Sequence, residues 1–285
     1  MRVNGWLSGF AGVVIFAGSL PATRVAVAEL NPLFLTGGRA TVAAFLGLLL
    51  LRLLRQSRPK KHDIGKLIIT AAGVVVGFPL LTALALQHVT SAHSIVFVGL
   101  LPLCTALFAV LRGGERPRPV FWLFSLSGAL FVGGFALFNG SQGSLTGDSL
   151  MVAAVILCGM GYAEGATLSR RLGGWQVICW ALILSLPVML PLTLFTLPSD
   201  ITQVSATAWG GFVYVSVFSM LVGFIFWYHG LAQQGIAAVG QLQLLQPFIG
   251  MALAALLLHE AVTWPMLLVT CAAVGCVFGA RKYAA

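Results

Sequence analysis

Acidic residues are nearly missing from this chain. Only seven of its 285 residues are Asp or Glu, and charged residues of both signs make up 8%. A soluble domain carries about 25%. That scarcity excludes an ordinary hydrated surface. With 59% hydrophobic residues and a mean hydropathy of +0.99, the chain has more apolar surface than a soluble fold of this length could hide, so its solvent is lipid. Metal and redox signatures are lacking as well. Cys104, Cys158, Cys179, Cys271 and Cys276 all lie in apolar runs without CxxC spacing. They read as free buried thiols, with no disulfide and no metal site. His62, His88, His93, His229 and His259 are scattered, and Asp63, Asp148 and Asp200 read as loop residues far apart in sequence. No cofactor is implied. Without a metal motif or a Ser/His/Asp set, a membrane-embedded enzyme acting on a lipid-linked substrate is only a remote alternative. No long polar insertion interrupts the chain, so no soluble domain is expected.

What is present is apolar run after apolar run. A membrane helix needs about 20 apolar residues. On that measure the chain gives ten spans, near 6–28, 32–54, 66–86, 90–111, 119–138, 147–170, 174–196, 206–229, 235–258 and 264–281. Arg2, the first apolar run and Ala26-Val27-Ala28 mimic a cleaved secretory signal. Arg24 sits just before that site and many spans follow, so an uncleaved first helix is the simpler reading.

The basic residues set an orientation. With the N-terminus in the cytoplasm and alternating spans, every Lys and Arg except Arg24 and Arg39 falls on the cytoplasmic side. Positive charge marks the inner side of membrane proteins. The net charge of +9 is therefore a topology signal and not a nucleic-acid footprint.

Two stretches match at an offset of 145 residues: Ala92–Pro119 and Ala237–Trp264. Pro102 meets Pro247, Ala109 meets Ala254, and Glu115 meets Glu260. Further on, Gly134 meets Gly279, whereas spans one and six match weakly. The chain thus divides into residues 1–138, a polar connector at 139–146, and residues 147–285. Five spans per half is an odd number, so the second half enters the membrane inverted. Inverted repeats with a site near the midplane between them are a transporter signature. The expected fold is an all-α integral membrane protein of ten helices in two inverted five-helix repeats.

The stretch NPLFLTGGRATVAAFLGLLLLR (Asn31 to Arg52), the opening TSAHSIVFVGLLPLCTALFAVLRGGERP of span four, and the LLLHEAVT that ends span nine carry a family resemblance. The chain resembles the drug/metabolite transporter superfamily in its ten-helix EamA-like branch, and within it looks most like YddG-type exporters of aromatic amino acids and other metabolites. The resemblance implies a multi-pass exporter of the bacterial inner membrane that works as a monomer. It implies a central cavity lined by spans one to four and six to nine, with five and ten peripheral. The three glutamines of span nine depart from the usual apolar pattern.

Polar groups inside lipid are costly and point to function. Gln243 and Gln246 lie i, i+3 on one face of span nine, with Gly250. Pro247 cannot donate, so a carbonyl one turn earlier is freed beside them. Such a face suits a zwitterionic substrate; a hydrogen bond to a neighbouring helix is the equal alternative. Glu164 is the one acid well inside a span. It can bind a substrate ammonium or carry a coupling proton, or snorkel to the cytoplasmic interface. A guanidinium from Arg24 or Arg39 can hold a carboxylate in bidentate fashion, but both are read as structural, Arg39 pairing with Glu29 or with backbone carbonyls. Phe78, His93, Ser94, Phe97, Tyr162, Trp227 and Tyr228 are candidates to line the cavity. Trp6, Trp122, Trp209 and Trp264 read as interface anchors. Pro21, Pro79, Pro102 and Pro247 are candidate hinges, Pro102 and Pro247 as matched kinks for alternating access. Small residues Ala129/Gly133 and Cys271/Gly275/Gly279 predict close packing on spans five and ten.

The expected function is secondary export of a small metabolite, with neutral or aromatic amino acids leading. A cationic drug exporter of the same superfamily is the alternative and would need a buried acid such as Glu164. The partners are a small-molecule substrate and the lipid bilayer.

Overall fold

The computed structural model describes residues 5–113, 118–138, 144–234 and 240–283. Those residues form helices and short connections, with no strand among them. Seven helices are long and apolar enough to cross a membrane, and three shorter apolar helices complete the set. Helix is the expected outcome, because lipid offers no partner for a free backbone N–H or C=O.

The helices in order are α1 (Gly5–Ala17, resuming Ser19–Val27), α2 (Pro32–Leu53), α3 (Lys61–Ala85) and α4 (Ser91–Val98, resuming Leu101–Gly113). Next come α5 (Pro119–Phe138), α6 (Leu145–Leu172) and α7 (Gly174–Phe195). The second half ends with α8 (Ala206–Val213 through Gly223–Gln234), α9 (Gly240–Leu245, resuming Gln246–Leu258) and α10 (Trp264–Lys282). Glu115, most of the connector and residues 235–239 lie outside the described residues.

Local chemistry sets the starts. Asn31 accepts from the Leu33 N–H at 2.8 Å and Pro32 opens α2, a favoured N-cap and first-turn pair. Thr90 caps α4 through the His93 N–H, and Ser205 caps α8 through the Ala208 N–H. The helix α3 begins five residues before the sequence reading, at Lys61, because Asp63 belongs to its first turn and accepts from the Lys60 N–H at 3.3 Å. Asp63 and Asp148 are not loop residues: both are buried in first turns, Asp63 against Arg171 and Asp148 against His93. Each acid is tolerated there because it meets a positive or polarisable partner.

The interruptions repeat with the sequence. The helix α4 breaks before Leu101 and α9 before Gln246, positions 145 residues apart. In each, proline is the next residue. A second match was not visible in the sequence. The helix α3 is π-helical over Ala71–Gly77 and α8 over Tyr214–Val222. Adding 145 to the first stretch lands inside the second.

The two halves meet through glycines. A Cβ on Gly73 of α3 would lie 2.4 Å from the Leu157 carbonyl and 2.9 Å from the Gly161 Cα of α6. A Cβ on Gly230 of α8 would lie 2.7 Å from the Gly9 nitrogen of α1. The two contacts join repeat-related helix pairs, since α1 corresponds to α6 and α8 to α3, but at different positions along them. Small residues let backbones approach where lipid supplies no hydrophobic drive. The helix α2 packs along α7, with the Thr41 and Thr193 hydroxyls 3.2 Å apart. The helices α5 and α10 pair at the periphery, Phe124 stacking on Tyr283. Their outer faces present Leu123, Leu126, Leu130, Leu268 and Phe278 to the surroundings. The expected small-residue face closes that pair only in part: Gly279 lies against Phe124, whereas Gly133 and Gly275 have open space beside them.

Candidate functional site

A small cavity lies between the halves. Its lining comes from α1 (Phe16, Ser19, Leu20), α2 (Arg39), α3 (Val74, Phe78, Pro79) and α4 (Val98, Leu101), and across from them α6 (Cys158, Tyr162), α8 (Ser219, Met220, Phe224) and α9 (Gln246). Helix α7, expected to contribute, supplies none of these residues. The repeat shows in the lining. Val74 corresponds to Ser219, Pro79 to Phe224, and Leu101 to Gln246, each pair 145 residues apart. Both π-helical stretches border the space. A π-turn widens the helix and re-aims its side chains, and such turns recur at functional sites.

The polar groups form one cluster. Ser19 and Ser219 share a hydrogen bond at 2.5 Å, and Arg39 Nη2 donates to Ser219 Oγ at 3.3 Å. Arg39 is 5% exposed, and its Nε has no hydrogen-bond partner among the described residues. Gln246 contributes a buried amide oxygen, likewise without a partner among them. An arginine at a helix centre in lipid costs about 3 kcal/mol even by mild insertion scales. The rest of the wall is aromatic and aliphatic, with Tyr162 edge-on to Phe224 at 6.2 Å between ring centres. The free volume is only about 40 Å³, on the order of one water molecule.

The interruption of α1 is built into this site. At Gly18 the helix lets Tyr214 in, since a Cβ there would fall 2.4 Å from the Tyr214 hydroxyl. That hydroxyl donates to the Ile15 carbonyl at 2.8 Å. Ser19 then opens the second segment, facing the cavity.

A larger vestibule lies toward each end. Near the basic end, Ser8, Trp175, Gln176, Tyr228 and His229 border about 450 Å³. At the other end, Arg24, Glu29, Gln87, Thr90, Ser205 and Glu260 border about 740 Å³. Two carboxylates cross between the halves there. Glu29 accepts from the Ser205 N–H and hydroxyl, both at 2.6 Å. Glu260 accepts from the Ser91 N–H at 3.1 Å, the Ser91 hydroxyl at 2.7 Å and the Ala92 N–H at 2.8 Å. Each acid of one half thus sits on a helix start in the other, where exposed N–H groups favour an anion. The Ser205 hydroxyl, then its N–H, hold the Glu29 carboxyl below its ordinary value.

Of the residues singled out in the sequence, Phe78, Pro79, Tyr162 and Gln246 come together in the cavity, and Pro247 follows at the start of the second segment of α9. The others lie elsewhere. Tyr228 borders the basic vestibule, and Trp227 is buried against Phe16. Glu164 is buried in α6 outside the lining. His93 bonds Asp148 at 2.7 Å and packs on Phe97 and Phe135. Ser94 and Gln243 are buried, with Ser94 Oγ and Gln243 Nε2 lacking partners among the described residues. Pro21 lies in the second segment of α1, and the side chain of Pro102 is outside the described residues. Sequence reasoning missed Ser19, Ser219, Met220, Phe224 and the place of Arg39. The repeat offset carried part of that signal: applied to Pro79, it leads to Phe224.

The family model of EamA-like transporters matches residues 3–139 and again 145–281. The chain is 61% identical over 281 residues to the "Uncharacterized transporter YdeK" of Bacillus subtilis (strain 168), covering 99% of this chain and 98% of that one. It is 24% identical over 234 residues to a "Probable terminal-alkyne amino-acid exporter" of Streptantibioticus cattleyicolor, covering 79% and 76% of the two chains. A solved crystal structure, 17% identical, superposes with a TM-score of 0.67 over 99% of both chains. That last likeness speaks for the fold alone.

Proposed function

The chain belongs to the EamA-like transporter family, and from that premise we propose that it exports neutral amino acids across the bacterial inner membrane by alternating access. The observation that carries the reading is the cavity itself. It lies between repeat-related segments and joins an aromatic wall to a compact polar cluster. An amphipathic metabolite matches both surfaces. The distant relative named as an amino-acid exporter adds support. Both termini and the basic loops lie in the cytoplasm on this reading, by the distribution of Lys and Arg. The crossed Glu29 and Glu260 contacts then close the outer end. The cavity widens to take a substrate when the halves rock about the glycine contacts and the breaks in α4 and α9. Substrate leaves outward once the carboxylates release their serines. The chain acts as a monomer and performs no covalent chemistry.

Transport in proteoliposomes tests this. Vesicles loaded with unlabelled amino acid are assayed for exchange of labelled Phe, Trp, Thr and Met, with and without a pH gradient. Saturable exchange of at least one is expected. Folded protein that exchanges none of the four sinks the amino-acid reading. Exchange that requires the gradient makes Glu164→Gln the next variant.

A further inference from the structure

We propose that Arg39 is the carboxylate-binding pole of the cavity and that the Gln246 amide receives the amino group, so that the carrier selects α-amino acids by their backbone. This rests on the amino-acid reading above and sharpens it.

Two other arginines of this protein are engaged. Arg24 donates to the Leu86 carbonyl at the end of α3. Arg171 pairs with the Asp63 carboxylate. Both are held as structural arginines usually are, by a full negative charge or a helix-end carbonyl. Arg39 is not. Among the described residues it has no ion pair, its one hydrogen bond is the long contact to Ser219, and its buried Nε has none. Glu29, the acid nearest to it in sequence, is engaged by Ser205 instead. A guanidinium carries five N–H donors. Most of that capacity stays unspent in a cavity with room for about one water molecule. A carboxylate is the group that uses it best, because two parallel N–H···O bonds match its shape.

Gln246 supplies the complement. Its amide oxygen is buried in the same cavity and has no partner among the described residues. An α-ammonium group donates where that oxygen accepts. One unspent donor and one unspent acceptor within a single cavity describe a zwitterion. The aromatic remainder of the wall, Phe16, Phe78, Tyr162 and Phe224, is left to the side chain. A cation without a carboxylate would meet a fixed positive charge in a low-dielectric site, which disfavours it. Among the described residues this lining holds no acid of the kind a cationic-drug exporter would need, since Glu164 lies outside it.

The test uses full-length protein in proteoliposomes. Exchange of the best-transported labelled amino acid is challenged with its deaminated acid and with its amide, which keeps the ammonium and lacks the carboxylate. The acid is expected to inhibit at least about ten-fold better than the amide. In Arg39→Gln the apparent KM rises by a similar factor and the acid loses its advantage, while Arg39→Lys recovers part of it. An amide that competes as well as the acid overturns the proposal with no variant involved, even if a substitution prevents folding. Folded Arg39→Gln with an unchanged KM overturns it too. Wild-type protein that exchanges no amino acid defeats the amino-acid reading and this proposal together; the other outcomes defeat this proposal alone.

Discussion

The carboxylate of Glu260, at the end of α9, sits on the first turn of α4 and accepts both the N–H and the hydroxyl of Ser91. Glu29, at the end of α1, does the same to Ser205 at the start of α8. The two contacts run in opposite directions between the halves. Both act at one end of the molecule, so that end cannot open unless both let go.

Glu260→Gln is expected to weaken this end. The neutral amide keeps the shape but loses the charge that suits a helix start. The loss is about 1 kcal/mol, typical of an N-cap. Thermal unfolding in detergent reads that loss, and Ser91→Ala should match it. In a cysteine-free background, a cysteine placed at Gln87 should then react faster with a bulky thiol reagent. Unchanged stability together with an unchanged labelling rate would remove the contact from the closure.

The Glu29 contact predicts a pH dependence. Its carboxyl is held below the ordinary 4.5, first by the Ser205 hydroxyl and then by the Ser205 N–H. A lowered carboxylate contributes its stabilisation in full above the unfolded value and loses it as pH falls through the folded one. The difference in unfolding temperature between wild type and Ser205→Ala should therefore be flat from about pH 8 to about pH 5, then shrink below 4.5. A difference that instead peaks at acid pH contradicts the assignment.

His93 was a lining candidate, and its structural place gives a different test. It lies fully buried, bonded to the buried Asp148 and packed on Phe135. Removing one member strands a buried polar group and costs about 3–5 kcal/mol. His93→Leu and Asp148→Leu are each expected to lose that stability, and the double variant to recover much of it. Double variants that transport with a wild-type KM place the pair outside substrate contact. A KM change that persists after stability is restored returns His93 to the cavity.

The ten spans and the repeat were legible in the sequence because they rest on composition and on fixed punctuation. Twenty apolar residues force a helix in lipid, and Pro102 and Pro247 stand 145 residues apart whatever the packing. The lining was legible only in part. The helix α2 is apolar on every side, so nothing in its pattern tells which way Arg39 faces. The π-helical turns of α3 and α8 lie in largely apolar stretches, and composition does not mark them. Asp63 and Asp148 looked like loop acids because their partners, Arg171 and His93, are distant in sequence. Phe78, Tyr162 and Gln246 were found because they are polar or aromatic in the middle of a span. The same criterion also collected Gln243, Phe97 and Trp227, which are buried outside the lining.

The glycine contacts separate what packs the halves from what merely resembles a packing motif. At Gly73 an added methyl would meet the Leu157 carbonyl and the Gly161 backbone. Neither is a side chain that can swing away, so α3 and α6 must part. Gly73→Ala is expected to cost at least about 3 kcal/mol, the upper range of overpacking, and to abolish transport. At Gly133 of α5 a methyl would meet nothing within 4 Å. Gly133→Ala should stay within about 1 kcal/mol of wild type and transport normally. Unfolding temperatures and exchange rates of the two variants, measured side by side, decide the matter. Equal behaviour would mean that the α3–α6 contact is not the seam about which the halves are held. Gly230 against Gly9, in the repeat-related pair of helices α8 and α1, then provides the independent check, because an added methyl there would also meet backbone.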